Sequence, residues 1–182
     1  MANHPLRLSL PLIAAACVLI AVAMLGRWAR EGLRDDYLLP FASIQCLPPP
    51  GPEQKDLLAE VQYLAGMSDQ VHLLDDDLAE RLRQAFAEHP WVAAVDGVNI
   101  TSRRIEVRLR YRKPVLAVPF EGRVRAVDEY GILLPTTANT MGLRLYDREA
   151  APPAGPAGTA WGDPCVEKAA RESASARGNK PN

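Results

Sequence analysis

Few residues in this chain have the types and spacing that chemistry would need. His4, His72 and His89 are the three histidines of the 182-residue sequence. None stands in a Ser-His-Asp order, and no glycine-rich phosphate loop or metal-spaced cluster accompanies them. His89 sits just before Pro90 at the end of a predicted helix, where partial positive charge is favourable and a structural use is ordinary. Asp75, Asp76 and Asp77 together offer three carboxylates. At a helix start the ordinary role of such a group is capping and dipole compensation rather than metal binding. Cys17, Cys46 and Cys165 show neither CxxC spacing nor neighbouring histidines, which argues against zinc. Cys17 lies in an apolar run, so only Cys46 and Cys165 are open to pairing, and the simplest reading leaves all three unpaired. The expectation is a non-enzyme with no catalytic residue, cofactor, metal or small-molecule substrate.

The densest signal is a strand. Ile105, Val107, Leu109 and Tyr111 alternate with Arg104, Glu106, Arg108, Arg110 and Arg112. Period-2 patterning of this kind gives one buried face and one solvated, strongly basic face. A nucleic-acid platform would interleave several exposed aromatics with the cations, and here Tyr111 is alone. The whole chain carries 21 basic and 22 acidic residues, a net charge of -1, without the basic excess of a nucleic-acid binder. A protein partner fits better. A strand edge can accept an extended segment through main-chain hydrogen bonds, with alternate side chains giving selectivity. The predicted partner-binding edge comprises Arg104, Glu106, Arg108, Arg110, Arg112, Val115 and Val118.

The elements that must position this edge follow in chain order. Leu8 to Gly26 contains no charged residue, with Arg7 before it and Arg27, Arg30 and Arg34 after it. At about 1.5 Å per residue such a run covers most of a hydrocarbon core of about 30 Å, so 8–26 is predicted as a transmembrane helix. Two alternatives remain open: a signal peptide cleaved after Ala21-Val22-Ala23, and a lipoprotein site at Ala14-Ala15-Ala16-Cys17. Residues 27–52 form a connector with one short edge strand near Ile44, ended by a proline-rich run. Glu53 to Ala65 is a predicted helix with Leu57, Leu58, Val61, Leu64 and Ala65 on its apolar face and Gly66 just past its end. A second helix starts at Asp77, whose spacing to Glu80 fits a capping box, and buries Leu78, Leu82, Ala85 and Phe86. Pro90 stops it. Trp91 to Ile100 reads as a strand whose parity breaks at Asp96-Gly97, as a bulge requires. Beyond the basic strand, Pro114 and Pro119 bracket a short strand at Val115–Val118. Arg123–Asp128 and Ile132–Leu134 then form a hairpin about Asp128-Glu129-Tyr130-Gly131, Leu143 to Tyr146 is a further strand candidate, and Pro164 to Glu172 is a short helix candidate with Asp163 as its cap; residues 147–182 are otherwise expected to be low-complexity and largely disordered.

Taken in order, these motifs resemble the FtsQ/DivIB-type bacterial cell-division proteins. The match is carried by Leu78 to Phe86, then Pro90-Trp91-Val92, Ile105 to Tyr111, and Arg112-Lys113-Pro114-Val115. Val127-Asp128, Gly131, Leu133 and Pro135 carry the family's later motif. Tyr111 stands where that family usually has a glutamate. The resemblance covers roughly residues 5–135. It implies an α+β fold: a single transmembrane helix, a POTRA-like domain of two helices on a small mixed sheet, and the first hairpin of an incomplete β domain. The corresponding divisions are 1–7 cytoplasmic tail, 8–26 span, 27–52 connector, 53–113 POTRA-like domain, 114–146 partial β domain and 147–182 tail. It also implies an inner-membrane location, with the N-terminus cytoplasmic and the C-terminal domain periplasmic. The implied function is a non-catalytic bitopic scaffold that recruits or links division and peptidoglycan-assembly proteins. The alternative is an envelope-assembly or secretion accessory that binds polypeptides through the same kind of domain.

Overall fold

The structure, a computed structural model, describes residues 16–27, 37–49 and 53–178. Among them the chain is α+β, with four helices and small sheets. It divides into two units, Met1–Leu38 and Leu39–Asn182.

The first unit corrects the predicted membrane span. Its described helix, α1, covers 16–27, which at about 1.5 Å per residue rises only about 18 Å. Among the described residues no helix is long and apolar enough to cross a membrane. The single-span anchor over 8–26, the membrane as a partner, and the inner-membrane placement built on that anchor are therefore withdrawn. Residues 8–15 of the predicted span, and the cytoplasmic tail at 1–7, lie outside the described residues.

The second unit is built on an antiparallel ribbon of β3 (Val92–Ile100) and β4 (Ile105–Tyr111). Ile105 and Val107 are buried on one face, and Leu109 and Tyr111 pack beside them. An isolated ribbon is marginal in water, so this face needs a cover. The cover is α2 (Gln54–Leu64), which buries Leu57, Leu58 and Val61, and α3 (Leu78–Ala87), which buries Leu78, Leu82, Ala85 and Phe86. Leu64, predicted to lie on the apolar face of α2, is instead half exposed. Phe41 stacks on Phe86 with ring centroids 6.4 Å apart, tying the segment before α2 to α3. A short pair, β1 (Leu38–Pro40) and β2 (Gln70–His72), lies outside the ribbon.

Local details of α3 differ from the capping-box expectation. Asp77 has helical backbone angles and its side chain makes no capping bond. A residue already in the helical region points its carboxylate away from the orphan N–H groups. Glu80 instead pairs with Arg83, while Asp75 and Asp77 each lie near Arg81, at 3.6 and 3.7 Å. The far end of α3 is held by His89. Its Nδ1 accepts the Trp91 N–H at 3.3 Å, and its Nε2 lies 2.9 Å from Glu60 Oε2 on α2. That arrangement assigns the imidazole a structural role.

After Lys113 the chain forms a three-stranded sheet in the order β6-β5-β7, from β5 (Leu116–Phe120), β6 (Arg123–Val127) and β7 (Arg144–Leu145). Pro119, predicted to end a strand, sits inside β5 opposite Val124. The hairpin register turns its nitrogen away from β6, and β7 pairs only with Leu116 and Ala117, so no ladder bond is lost. The tight two-residue turn falls at Glu121-Gly122, both with positive φ (47° and 72°), as a type I′ hairpin requires. The predicted turn at Asp128–Gly131 is also present, closed by Gly131 N–H to Asp128 C=O at 2.9 Å, but it leads to a single bridge, Val127 to Leu133.

The tail contains the helix predicted at Pro164–Glu172, extended to Gly178, and is packed where low complexity suggested disorder. Trp161, Val166 and Ala170 are fully buried with Val115, Leu116, Val118, Val127 and Leu133. The helix α4 (Pro164–Gly178) therefore lies against β5. Asp163 starts it, accepting the Cys165 N–H at 2.8 Å, a bond that holds its carboxyl below the usual range. Composition suggested disorder because alanines carry little hydrophobic signal, yet three inward residues suffice when a groove awaits them.

Cys46 is buried and unpaired, and burial pushes its thiol up to about 11. An unfolded cysteine loses its proton near about 8.5, so unfolding releases protons between those values and stability falls as pH rises through that window. Urea denaturation across pH 8 to 11 should show this slope, and Cys46→Ala should flatten it. At pH 8 a maleimide should label the exposed Cys165 in the folded chain and reach Cys46 only after denaturation.

Candidate functional site: a sheet edge and its basic face

The predicted edge residues do not stay together. Arg104 is exposed in the β3–β4 turn, where the Thr101 hydroxyl accepts its N–H at 3.2 Å. Glu106, Arg108 and Arg110 project from the solvated face of β4. Arg110 donates to Asp96 of β3 at 2.9 Å, an exposed pair worth about 1 kcal/mol at most. Arg112 turns away to Asp128. Val115 and Val118 are only 7% and 0% exposed and belong to the second core. Val118 lies in β5 and Val115 just before it; β5 lies between β6 and β7 and presents no edge at Leu116 and Ala117, so this segment is a central strand rather than a docking surface.

β4 is not a free edge either along its first half. Gln45 N–H donates to Ile105 C=O at 2.9 Å, and Val107 N–H donates to Gln45 C=O at 2.8 Å. The predicted first strand near Ile44 is thus reduced to one parallel bridge, Gln45 to Glu106. It ends there because Leu47 is followed by Pro48 and Pro49, which cannot extend the ladder. Past the bridge the two segments diverge around a cavity of about 510 Å³ lined by Cys46, Leu47, Val107 and Leu109. The Tyr111 hydroxyl donates to the Leu47 carbonyl beyond it. Burial raises the Tyr111 phenol, with the neighbouring Cys46 a smaller cause in the same direction.

Past Val107 the outward groups of β4 face the cavity, and the longer free edge is β3. Because Ile105 and Val107 direct their backbone groups at Gln45, their partners Ile100 and Val98 are non-hydrogen-bonded pairs within the ribbon. The N–H and C=O of Val98 and Ile100 consequently point away from β4, and among the described residues no backbone group meets them. The side chains of Val95, Val98 and Ile100 are partly buried against the first core and partly open along the same border. The register shifts twice, between Val92 and Ala94 and between Val95 and Gly97. The open row is therefore confined to the C-terminal part of β3. Sequence reasoning found the second bulge but assigned the edge to the basic strand. The signal that would have corrected it is the candidate strand near Ile44, since a strand pairing with β4 leaves β3 outermost.

On the solvated face, Gly97 stands opposite Arg108. A Cβ on Gly97 would meet Arg108 Nη2 at 2.8 Å and Nε at 3.3 Å. The guanidinium therefore lies across the bare backbone of Gly97, toward the outer border of β3.

Where the ribbon meets the second sheet, Arg112 Nη1 donates to Asp128 Oδ2 at 2.9 Å. The other oxygen of Asp128 accepts the N–H groups of Tyr130 and Ile132 at 3.0 and 2.9 Å. Trp91 packs beside this pair with Ala126, Leu134 and Ala138. The ribbon and the second sheet thus meet through this ion pair and the packing around Trp91 and Tyr111, which fixes where β3 can present its edge.

Among the described residues no group of three or more histidine, cysteine, aspartate or glutamate side chains is placed to hold a metal ion. No protein-family model and no curated protein matches this chain.

Asp128 is 4% exposed and Arg112 17%. Arg112→Ala should destabilise the chain by about 3 kcal/mol, the low end for breaking a buried pair, because Arg112 keeps some solvent. Asp128→Ala should cost more than Arg112→Ala, since it also frees two turn N–H groups. Urea midpoints of the two variants check the order.

Proposed function

We propose that this chain is a non-catalytic scaffold module that binds other proteins by accepting an extended segment along the outer edge of β3. The observation that carries this reading is the unpaired row of N–H and C=O groups at Val98 and Ile100, bordered by half-open apolar side chains. Main-chain bonds would supply affinity, and the alternating side chains of the incoming segment would be read on both faces of the extended sheet.

The kind of scaffold follows the resemblance to FtsQ/DivIB-type division proteins. Support comes from two helices on one face of a ribbon, with Gln45 running parallel beside β4, as a POTRA-like unit would have. Partners of the division and peptidoglycan-assembly machinery are the class that the resemblance suggests. Catalysis finds no support at the histidine that sequence analysis weighed for it, since His89 is 1% exposed at its side chain and both ring nitrogens are engaged within the fold.

Val98→Pro removes one outward N–H without touching a bond of the ribbon, much as Pro119 does in β5. Purified Val98→Pro protein should melt cooperatively, within a few degrees of the parent. With a photo-crosslinking residue at Asn99, the parent should capture discrete proteins in cells, and the proline variant should lose those adducts. Adducts unchanged by the proline would place recognition elsewhere.

A further inference from the structure

We infer that Arg108 selects the segment that β3 accepts, favouring one with a carboxylate side chain opposite Gly97. This rests on the strand-accepting reading and adds the chemistry of the partner.

Three observations lead there. The other β4 arginine of this face, Arg110, is already engaged with Asp96, and Arg112, just past β4, is drawn away to Asp128. Among the described residues no carboxylate pairs with Arg108, which is exposed. Gly97 has no side chain to block the guanidinium, and Arg108 Nη2 lies where a Cβ there would be only 2.8 Å away.

The geometry of an added strand completes the argument. Neighbouring strands lie about 4.8 Å apart, and residues facing each other across strands share a face of the sheet. An added strand would therefore place one side chain in line with Gly97 and Arg108 on the solvated face. A carboxylate at that position reaches back over Gly97 to a guanidinium already lying there, and a bidentate pair suits both groups. A lysine or arginine at that position would meet like charge. On the other face, Val95, Val98 and Ile100 would contact apolar residues. The occupant is thus an extended segment of a partner protein with alternating apolar and acidic residues. A second copy of β3 is a poorer occupant, because its own acid on this strand, Asp96, is already held by Arg110.

The full chain can be titrated with two synthetic ten-residue probes, one alternating valine with glutamate and one alternating valine with glutamine. The glutamate probe should bind about fivefold tighter at low salt, and the advantage should fade near 1 M salt, where the screening length falls to about 3 Å. Arg108→Gln should bring the two probes within about twofold of each other while keeping binding. Gly97→Ala displaces only the flexible end of Arg108, so it should fold and lose part of the preference. Val98→Pro should abolish binding of both probes. A glutamate preference that survives Arg108→Gln overturns the role of Arg108 and leaves the strand-accepting reading standing. Failure of both probes to bind the parent overturns that reading itself. Self-association in light scattering that Val98→Pro abolishes would assign the edge to a second copy and overturn the acidic-partner proposal.

Discussion

The β3–β4 ribbon must bury one face and only one. Its alternation of Ile105, Val107, Leu109 and Tyr111 with charged residues makes any other arrangement costly, since a one-residue slip would exchange the two faces. The rest of the second unit answers to that requirement. The helices α2 and α3 lie on the apolar side with Phe41 and Phe86 stacked between the segments they close. The segment at Gln45 satisfies part of the outer row of β4. What remains is the border of β3, where the apolar face runs out before the backbone groups do.

That border is shaped by how the chain enters and leaves the ribbon, both at the end where Val92 pairs with Tyr111. On the way in, His89 and Glu60 hold the chain as it leaves α3, and Trp91 carries it into the packing around Ala126 and Leu134. On the way out, Arg112 is drawn off the basic face by Asp128. The ion pair is buried, so its value lies in geometry more than in net stability. It places the second sheet at the Val92 end of β3 and leaves the Ile100 end uncovered. The bulges at the first half of β3 also bend that part of the strand, a common way of discouraging unwanted pairing along an edge.

Several features were legible without the fold. The apolar stripe of α3, the bulge near Asp96, the turn at Gly131 and the alternating faces of β4 all depend on short-range periodicity or local turn chemistry. The span over 8–26 was read from hydropathy alone, and among the described residues no helix of sufficient length and apolarity bears it out. In the tail the helix at Pro164–Glu172 was legible from Asp163 and Pro164 at its start, but composition, which weighs residues equally, gave no sign that it packs. Trp161, Val166 and Ala170 show that a few well-placed side chains decide packing. Val115 and Val118 belong to the predicted partner-binding edge, but pairing of β5 with β6 and β7 and packing against α4 put them inside.

The sequence by itself determined which side chains of each strand face inward, where the helices begin and end to within a few residues, and that charge is nearly balanced overall. Those properties follow from periodicity and from residues next to one another in the chain. Only the tertiary structure decided which strand lies outermost, because that depends on Gln45 meeting Glu106 across a long stretch of sequence. It alone also decided which arginines remain free, since Asp96 and Asp128 reach Arg110 and Arg112 through strand register and sheet docking. Alternation marks a basic face, but long-range pairing leaves Arg108, lying over Gly97, as the β4 cation without a carboxylate partner among the described residues.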